Sequence, residues 1–257
     1  MTATPPTSTS SKLTRVLGAS TLGLLAVFLL FALFISPPEV SQREAVRIFY
    51  IHVPSAIAAL YIGFGITAFG GVMYLRKQST FWDLLAASAA EIGVLFCAIT
   101  LVSGALWGRP TWGTYWEWDP RLTSTTISFV LFLGYLAVRR LDIEPAARSR
   151  RAAVLGIIGF LNTIVVRYSV EWWQGLHQGT TLSPTDTQMD GLHLFSFFLG
   201  GLTIMAIFAW LLVHRFRVAW LEHQVTAQGL EHALAERRAE ATEVTAASTA
   251  HSDGGNS

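Results

Sequence analysis

The sequence predicts an all-α, polytopic membrane protein with six transmembrane helices and a tryptophan-rich connection between the third and the fourth. Three observations carry this prediction. Of 257 residues, 52% are hydrophobic and only 14% charged, where soluble domains carry about 25% charge; the mean hydropathy is +0.45. The apolar residues fall into runs long enough to cross a bilayer as helices, parted by Pro, Gly and charge. Basic residues gather at alternate ends of those runs, the asymmetry that orients a membrane protein.

Residues 1–12 are Thr, Ser and Pro without apolar periodicity and read as a disordered tail. Lys12 and Arg15 introduce the apolar run Val16–Ile35. It is too long for a signal core and ends in Ser36-Pro37-Pro38-Glu39 without a small-x-small site, so it reads as a retained first span. The second span covers about Val46 to Leu75, closed by Arg76 and Lys77, and the third about Leu84 to Leu106. Leu122–Val138 makes the fourth, closed by Arg139 and Arg140. Ala152–Val166 makes a short fifth that continues as helix into the next connection, and Leu192–Val213 makes the sixth. The spans together form one domain over residues 13–217. The tail from residue 218 onward reads as a partly helical extension, with Leu221, Val225, Leu230 and Leu234 at loosely helical spacing. Lys12/Arg15, Arg76/Lys77, the Arg139–Arg151 cluster and Arg215/Arg217 all fall on one side. That side is the cytoplasmic one under the positive-inside rule, and both termini lie there.

Composition also excludes function classes. A net charge of +1 gives no basis for nucleic-acid binding. The single cysteine, Cys97, permits no internal disulfide or Cys-x-x-Cys redox pair and reads as a small buried apolar residue. Hydrolase elbow, phosphate loop and His-Glu-x-x-His helix are all missing from the sequence.

The stretch Trp107–Arg121 holds four of the nine tryptophans, interleaved with Gly108, Pro110, Gly113 and Pro120, and reads as a loop on the outer face. Scattered tryptophans suit a membrane boundary, but a dense cluster on one connection suits a flat ligand. Of seven histidines, His52, His177 and His193 fall at or near that face. His52 stands within the second span beside Pro54, which bends the helix or begins it, and faces the small residues Ser55, Ala56 and Ala59. Alone it reads equally as a ligand or as a buried, hydrogen-bonded histidine. His177 follows Trp172 and Trp173; a helical start to that connection puts Trp173 on its face. His193 lacks aromatic company in the sequence and reads as a packing residue or an alternate ligand. Two imidazoles from different outer-face elements beside an aromatic platform are what a hexacoordinate haem requires, whereas the spacing does not suit zinc. Arg47, Arg109, Arg121 and Arg167 are the arginines able to meet haem propionates, or equally to pair with Glu117, Asp119 or Glu171. Asp119 reads as a loop-fixing acceptor, and Glu91 as a hydrogen-bond partner of a neighbouring span in preference to a proton-relay site.

Trp112-Gly113-Thr114-Tyr115-Trp116-Glu117-Trp118-Asp119 resembles the WWD signature, W-G-x-x-W-x-W-D, of membrane proteins that handle haem in cytochrome c maturation. With Arg121-Leu122-Thr123-Ser124, Arg47-Ile48-Phe49-Tyr50-Ile51-His52-Val53-Pro54, Ser169-Val170-Glu171-Trp172-Trp173 and Leu176-His177-Gln178-Gly179, residues 45–180 resemble the CcmC family, haem exporter protein C. Tyr115 departs from the family, which often has a second tryptophan there, but keeps an aromatic plane. Pro120 is shared with the larger relatives CcmF and CcsA, from which the six-span count and Arg121 separate this chain.

The resemblance implies that His52 and His177 are axial or near-axial contacts of the iron of a transiently held haem b. It implies a platform of Trp107, Trp112, Trp116 and Trp118, with Asp119, Arg121, Arg47, Trp172 and Trp173 completing the site. It implies a protein of the bacterial cytoplasmic membrane that passes haem to the periplasmic chaperone CcmE. The implied partners are the small membrane protein CcmD and the ABC transporter CcmA/CcmB, within membrane lipid and without nucleic acid. By the same resemblance it is not a classical enzyme: the bond between haem vinyl and chaperone histidine forms on its surface, with chemistry that belongs to the cofactor. The alternatives are a CcsA/CcmF-like haem–apocytochrome synthetase component and a haem or solute transporter. The second has only the scattered polar residues Glu91, Thr100, Asn162 and Thr163 for a path.

Overall fold

The computed structural model describes residues 11–40, 42–173, 175–177, 182–183, 186–187 and 191–253. It is all-α, with six helices long and apolar enough to cross a membrane. They are α1 (Lys12–Ile35), α2 (Val46–Lys77), α3 (Thr80–Trp112), α4 (Pro120–Val138), α5 (Pro145–Trp172) and α6 (Gly191–Asp253). Between α5 and α6, Leu182–Ser183 pairs antiparallel with Asp186–Thr187. The bundle comprises the described residues up to Phe216, and the part of α6 from Arg217 onward belongs to a separate unit. Of the tail expected over residues 1–12, residues 1–10 lie outside the described residues, as do 254–257 at the other end.

The helices begin where local chemistry lets them, and several begin or end beyond their apolar runs. Ser11 and Thr14 form a reciprocal capping box: Thr14 N–H donates to Ser11 Oγ at 3.2 Å and Ser11 N–H to Thr14 Oγ1 at 2.7 Å. This starts α1 at Lys12, ahead of Val16. Glu144 caps α5 through the N–H groups of Ala146 and Ala147, at 2.9 and 2.7 Å, with Pro145 at the first helical position. α5 therefore starts seven residues before the expected Ala152, and Arg148, Arg150 and Arg151 lie in its first turns instead of in a connection. Hydrophobic runs mark where a helix is buried in lipid; caps mark where it begins.

The largest correction falls on the tryptophan stretch. Trp107–Trp112 is not loop but the last turns of α3, and the connection to α4 is only residues 113–119. Pro110 costs the helix one N–H donor. Thr111 Oγ1 meanwhile donates to the Trp107 carbonyl at 2.7 Å, and Gly113, at φ +81, ends the helix in the left-handed region. Pro54 likewise does not begin α2, which runs through it and widens into π-type turns over Ile57–Gly63. The carbonyl of Tyr50, four residues before Pro54, is approached by Gly200 of α6; a Cβ there would lie 2.5 Å from that oxygen.

Close packing of rings and polar ties between helices hold the bundle, as expected where lipid offers no hydrophobic contrast. Phe64 of α2 stacks on Phe132 of α4 at 3.5 Å and 4°. Asn162 of α5 donates to Ser124 O and Ser128 Oγ of α4, both at 2.8 Å. Arg139, just past α4, grips Asp83 of α3 in two bonds of 2.6 and 2.9 Å. Glu91 pairs with Arg215 of α6, the neighbouring-span partner expected for it. Cys97 is buried. Alternation of the helices brings the connections after α1, α3 and α5 to one end, here called the tryptophan end.

Candidate functional site

At the tryptophan end α2, α3, α4 and α5 enclose a mostly apolar cavity of about 340 Å³, within the range of small-molecule sites, roughly 300–1,000 Å³. His52, Trp107, Trp112, Arg121, Arg167 and His177 are in its wall, together with Phe49, Leu60, Tyr61 and Val166. Two histidines 125 positions apart in the chain thus share one cavity.

Each imidazole is fixed through Nδ1. His52 Nδ1 lies 3.1 Å from the Thr100 carbonyl and 3.1 Å from Ser103 Oγ, both on α3. A carbonyl only accepts, so Nδ1 carries the hydrogen and Nε2 the lone pair. Gly104 makes room for this ring: a Cβ there would stand 2.8 Å from His52 Cε1. His177 Nδ1 lies 2.5 Å from Asp119 Oδ2, which also accepts the His177 backbone N–H at 3.3 Å. The carboxylate again draws the hydrogen to Nδ1. Among the described residues neither Nε2 has a hydrogen-bond partner. Both histidines are thereby held in the tautomer that offers an electron pair from Nε2.

Asp119 is the hinge pin of the arrangement. Its Oδ1 caps α4 by accepting the Leu122 N–H at 2.7 Å, while Oδ2 holds His177. Burial alone would raise its carboxyl. The hydrogen bonds from His177 and from the Leu122 N–H outweigh that and hold it below the ordinary carboxylate value. Gly175 lets the chain come this close; a Cβ there would meet Pro120 Cδ at 3.1 Å and Asp119 Oδ2 at 3.2 Å.

The tryptophans divide into two groups. Trp107 and Trp112 line the cavity: Trp107 lies 5.5 Å from the His52 ring and donates to Gln42 Oε1 at 3.0 Å, and Trp112 lies 4.8 Å from the His177 ring. Trp116, Trp118, Trp172 and Trp173 do not line it. Trp116 packs edge-on against Trp118 at 5.3 Å, and its buried Nε1 has no partner among the described residues. Trp118 is 72% exposed, and Trp172 and Trp173 are exposed as well. The aromatic neighbour of His177 is accordingly Trp112, not Trp173. α5 ends at Trp172 and Trp173 is extended, so the helical spacing that would bring Trp173 beside His177 does not exist.

The arginines separate too. Arg47 is taken up by Glu44, at 2.6 Å, and by the carbonyls of Ala32 and Leu33 at the end of α1, and it does not line the cavity. Arg109 donates to the Gly113 carbonyl and lies over the Tyr115 ring, closing the end of α3. Arg167 lines the cavity but pairs with Glu171 at 2.9 Å. Arg121 lines it too; its carbonyl accepts from Ser124 Oγ and Thr125 Oγ1, but among the described residues its guanidinium has neither a hydrogen bond nor an ion pair. His193 is buried away from the cavity, with Nδ1 2.6 Å from Tyr50 Oη and 3.3 Å from Ser36 Oγ. It does have aromatic company, the Tyr50 ring. Its place in α6 against α2 was invisible to a linear reading. Thr100, Ser103 and Gly104, which set His52, gave no sequence signal as site residues beyond their small size. Gln178 and Gly179 of the resembling segment lie outside the described residues.

Fold and cavity together define a class: a six-helix membrane protein that presents two imidazoles and an indole-lined wall at one end of its bundle. The family model for Heme exporter protein C matches residues 2–231. Heme exporter protein C of Bradyrhizobium diazoefficiens is 36% identical over 235 residues, 90% of this chain and 87% of that protein. Heme exporter protein C of Escherichia coli K12 is 34% identical over 203 residues, 76% and 82% of the two chains. A putative cytochrome c biosynthesis ccmC-like mitochondrial protein of Marchantia polymorpha is 35% identical over 176 residues, 68% and 74%. The chain belongs to the Heme exporter protein C family, CcmC.

Proposed function

We propose that this chain binds haem b transiently at the tryptophan end and hands it to a CcmE-like chaperone in cytochrome c maturation. The observation that carries the proposal is the pair of imidazoles in one cavity, each tied at Nδ1 and each with Nε2 open. Imidazole nitrogens from two separate elements, His52 on α2 and His177 after α5, would hold a haem iron, which would supply the ligand-field chemistry. The protein's own residues do the rest. Thr100 and Ser103 orient His52, and Asp119 orients His177. Trp107 and Trp112 give flat apolar walls, and Arg121 offers an unpaired cation to a carboxylate. The exposed rings of Trp118, Trp172 and Trp173 then form the outward surface on which a chaperone meets the bound haem.

The charge pattern supports an inner-membrane orientation in which the tryptophan end faces the periplasm and the arginine-rich end, with both termini, faces the cytoplasm. In that orientation CcmD and the CcmA/CcmB transporter are the membrane partners.

Absorption spectra of the detergent-purified protein, oxidised and reduced, test the reading for wild type, His52→Ala and His177→Ala. The expected result is a low-spin Soret and α band in the wild type that weakens or turns high-spin in each variant. A wild type that stays spectrally silent when haem is added removes the proposal. Incubation of the haem-loaded protein with chaperone and with an apocytochrome separates delivery from synthetase action, since only the second ligates haem to Cys-x-x-Cys-His.

A further inference from the structure

The cavity is not a cup open only at the tryptophan end. Along α2 its lining runs from Phe49 to Tyr61, twelve residue steps or about 18 Å of helix at about 1.5 Å each. The hydrocarbon core of a bilayer is about 30 Å thick, so this depth takes the cavity well inside the leaflet.

The side of the cavity is set by how α2 and α5 diverge. Near the arginine-rich end they touch closely: a Cβ on Gly71 would lie 3.2 Å from the Ala153 carbonyl oxygen. Further along, the Phe160 ring fills the space before Gly65, 3.5 Å from where a Cβ would stand. Nearer the tryptophan end Tyr61 and Val166 both line the cavity, which lies between the two helices beyond the Phe160 ring. On its α2 edge stand Ile57 and Tyr61, one turn apart, 40% and 43% exposed although both line the cavity. They continue on the helix surface toward Phe69, which is 56% exposed and lines no part of the cavity. One apolar strip of α2 is therefore cavity wall at its upper end and lipid-facing surface below.

We infer that the cavity is filled sideways, from the bilayer leaflet at the tryptophan end, through the cleft between α2 and α5. The inference rests on the haem reading above and adds the state in which haem arrives: dissolved among acyl chains, macrocycle first, and not from water. An apolar flat ligand that enters this way keeps its rings in apolar surroundings throughout. Its carboxylates trail toward the headgroups, where Arg121 stands at the start of α4.

The test uses the full chain in phosphatidylcholine nanodiscs with a photoreactive residue, Ile57→p-benzoylphenylalanine, and the same change at Tyr61 and at Phe69. After irradiation, intact mass spectrometry reads phospholipid adducts with and without saturating haem. Adducts at 57 and 61 that fall at least fivefold when haem is bound, with adducts at 69 unchanged, are the expected result. Adducts at 69 but none at 57 or 61 would show the cleft closed to lipid and overturn the inference. So would adducts at 57 and 61 that persist undiminished under saturating haem. Either position suffices if the other variant fails to fold. A wild type without any Soret response to haem would instead remove the haem reading itself, and the inference with it.

Discussion

Asp119→Asn isolates what the carboxylate does for His177. Asparagine is as good a helix cap as aspartate, so the bond to the Leu122 N–H, 2.7 Å in the wild type, survives and α4 keeps its start. What is lost is the charge on the partner of His177 Nδ1, now 2.5 Å away. A hydrogen bond to a charged group contributes about 1.5–3 kcal/mol against about 0.5–1.5 for a neutral one. The difference, about 1–1.5 kcal/mol, corresponds to about a tenfold loss in affinity for a ligand bound through Nε2. That is the lower bound, reached when the amide turns its oxygen to the ring. If it turns its NH2 group, Nδ1 must accept, the hydrogen moves to Nε2, and the electron pair for the ligand is gone. Loss then approaches the roughly 10–100-fold typical of removing a residue that orients a metal ligand. Haem titration followed at the Soret band, with a thermal melt alongside, reads both quantities. Asp119→Ala gives a similar affinity loss and a further destabilisation of about 1 kcal/mol from the missing cap. An Asn variant that binds haem within twofold of wild type with an unchanged low-spin spectrum would refute the assignment of His177 as a ligand held by Asp119.

Four further outcomes follow from the same geometry. Because Asp119 is held below its ordinary value, its stabilising contribution is complete above the unfolded carboxylate value, about 3.9, and is lost as pH falls through the lower folded value. The melting-temperature advantage of wild type over Asp119→Asn should therefore hold from pH 7 to 5, begin to fall only near pH 4 and vanish below the lower folded value; an advantage that grew on acidification would contradict the assigned sign. Gly104→Ala places a methyl group where only 2.8 Å separates it from His52 Cε1, so it should displace the imidazole and shift bound haem toward high spin while circular dichroism stays helical. Arg121→Ala should weaken haem binding by several-fold yet leave binding of a dimethyl-ester haem unchanged. Arg47→Ala, which unties the end of α1, should instead lower the melting temperature with little change in affinity.

The fold was legible where the physics is one-dimensional. Six apolar runs announce six helices, because a helix satisfies its own backbone and lipid asks only for length. Their ends were not legible from apolarity, because capping by Ser11, Glu144 and Asp119 sets them. The site was legible as a set of residue types, with His52, His177 and the indoles of Trp107 and Trp112 meeting in one cavity. Its division of roles was not. Arg47 and Arg121 look alike in the sequence, and only the position of α1 and α2 occupies the first and leaves the second open. Pro110 and Gly108 signal a break that α3 does not take, since helix termination waits for the left-handed Gly113. Gly104 and Gly175 matter for what they lack, and the absence of a side chain carries no periodicity to read.

The two oxygens of Asp119 keep separate company, one with the start of α4 and one with His177. If residues 175–177 swing away, the bonds to Oδ2 break while that to Oδ1 stays, so the helix below does not unwind. Letting go of a ligand through His177 is then a local, reversible event that costs a pair of hydrogen bonds instead of a piece of the fold. On the proposed reading, in which held haem is passed on, such a clasp is an advantage: the grip opens while the frame that carries it remains shut.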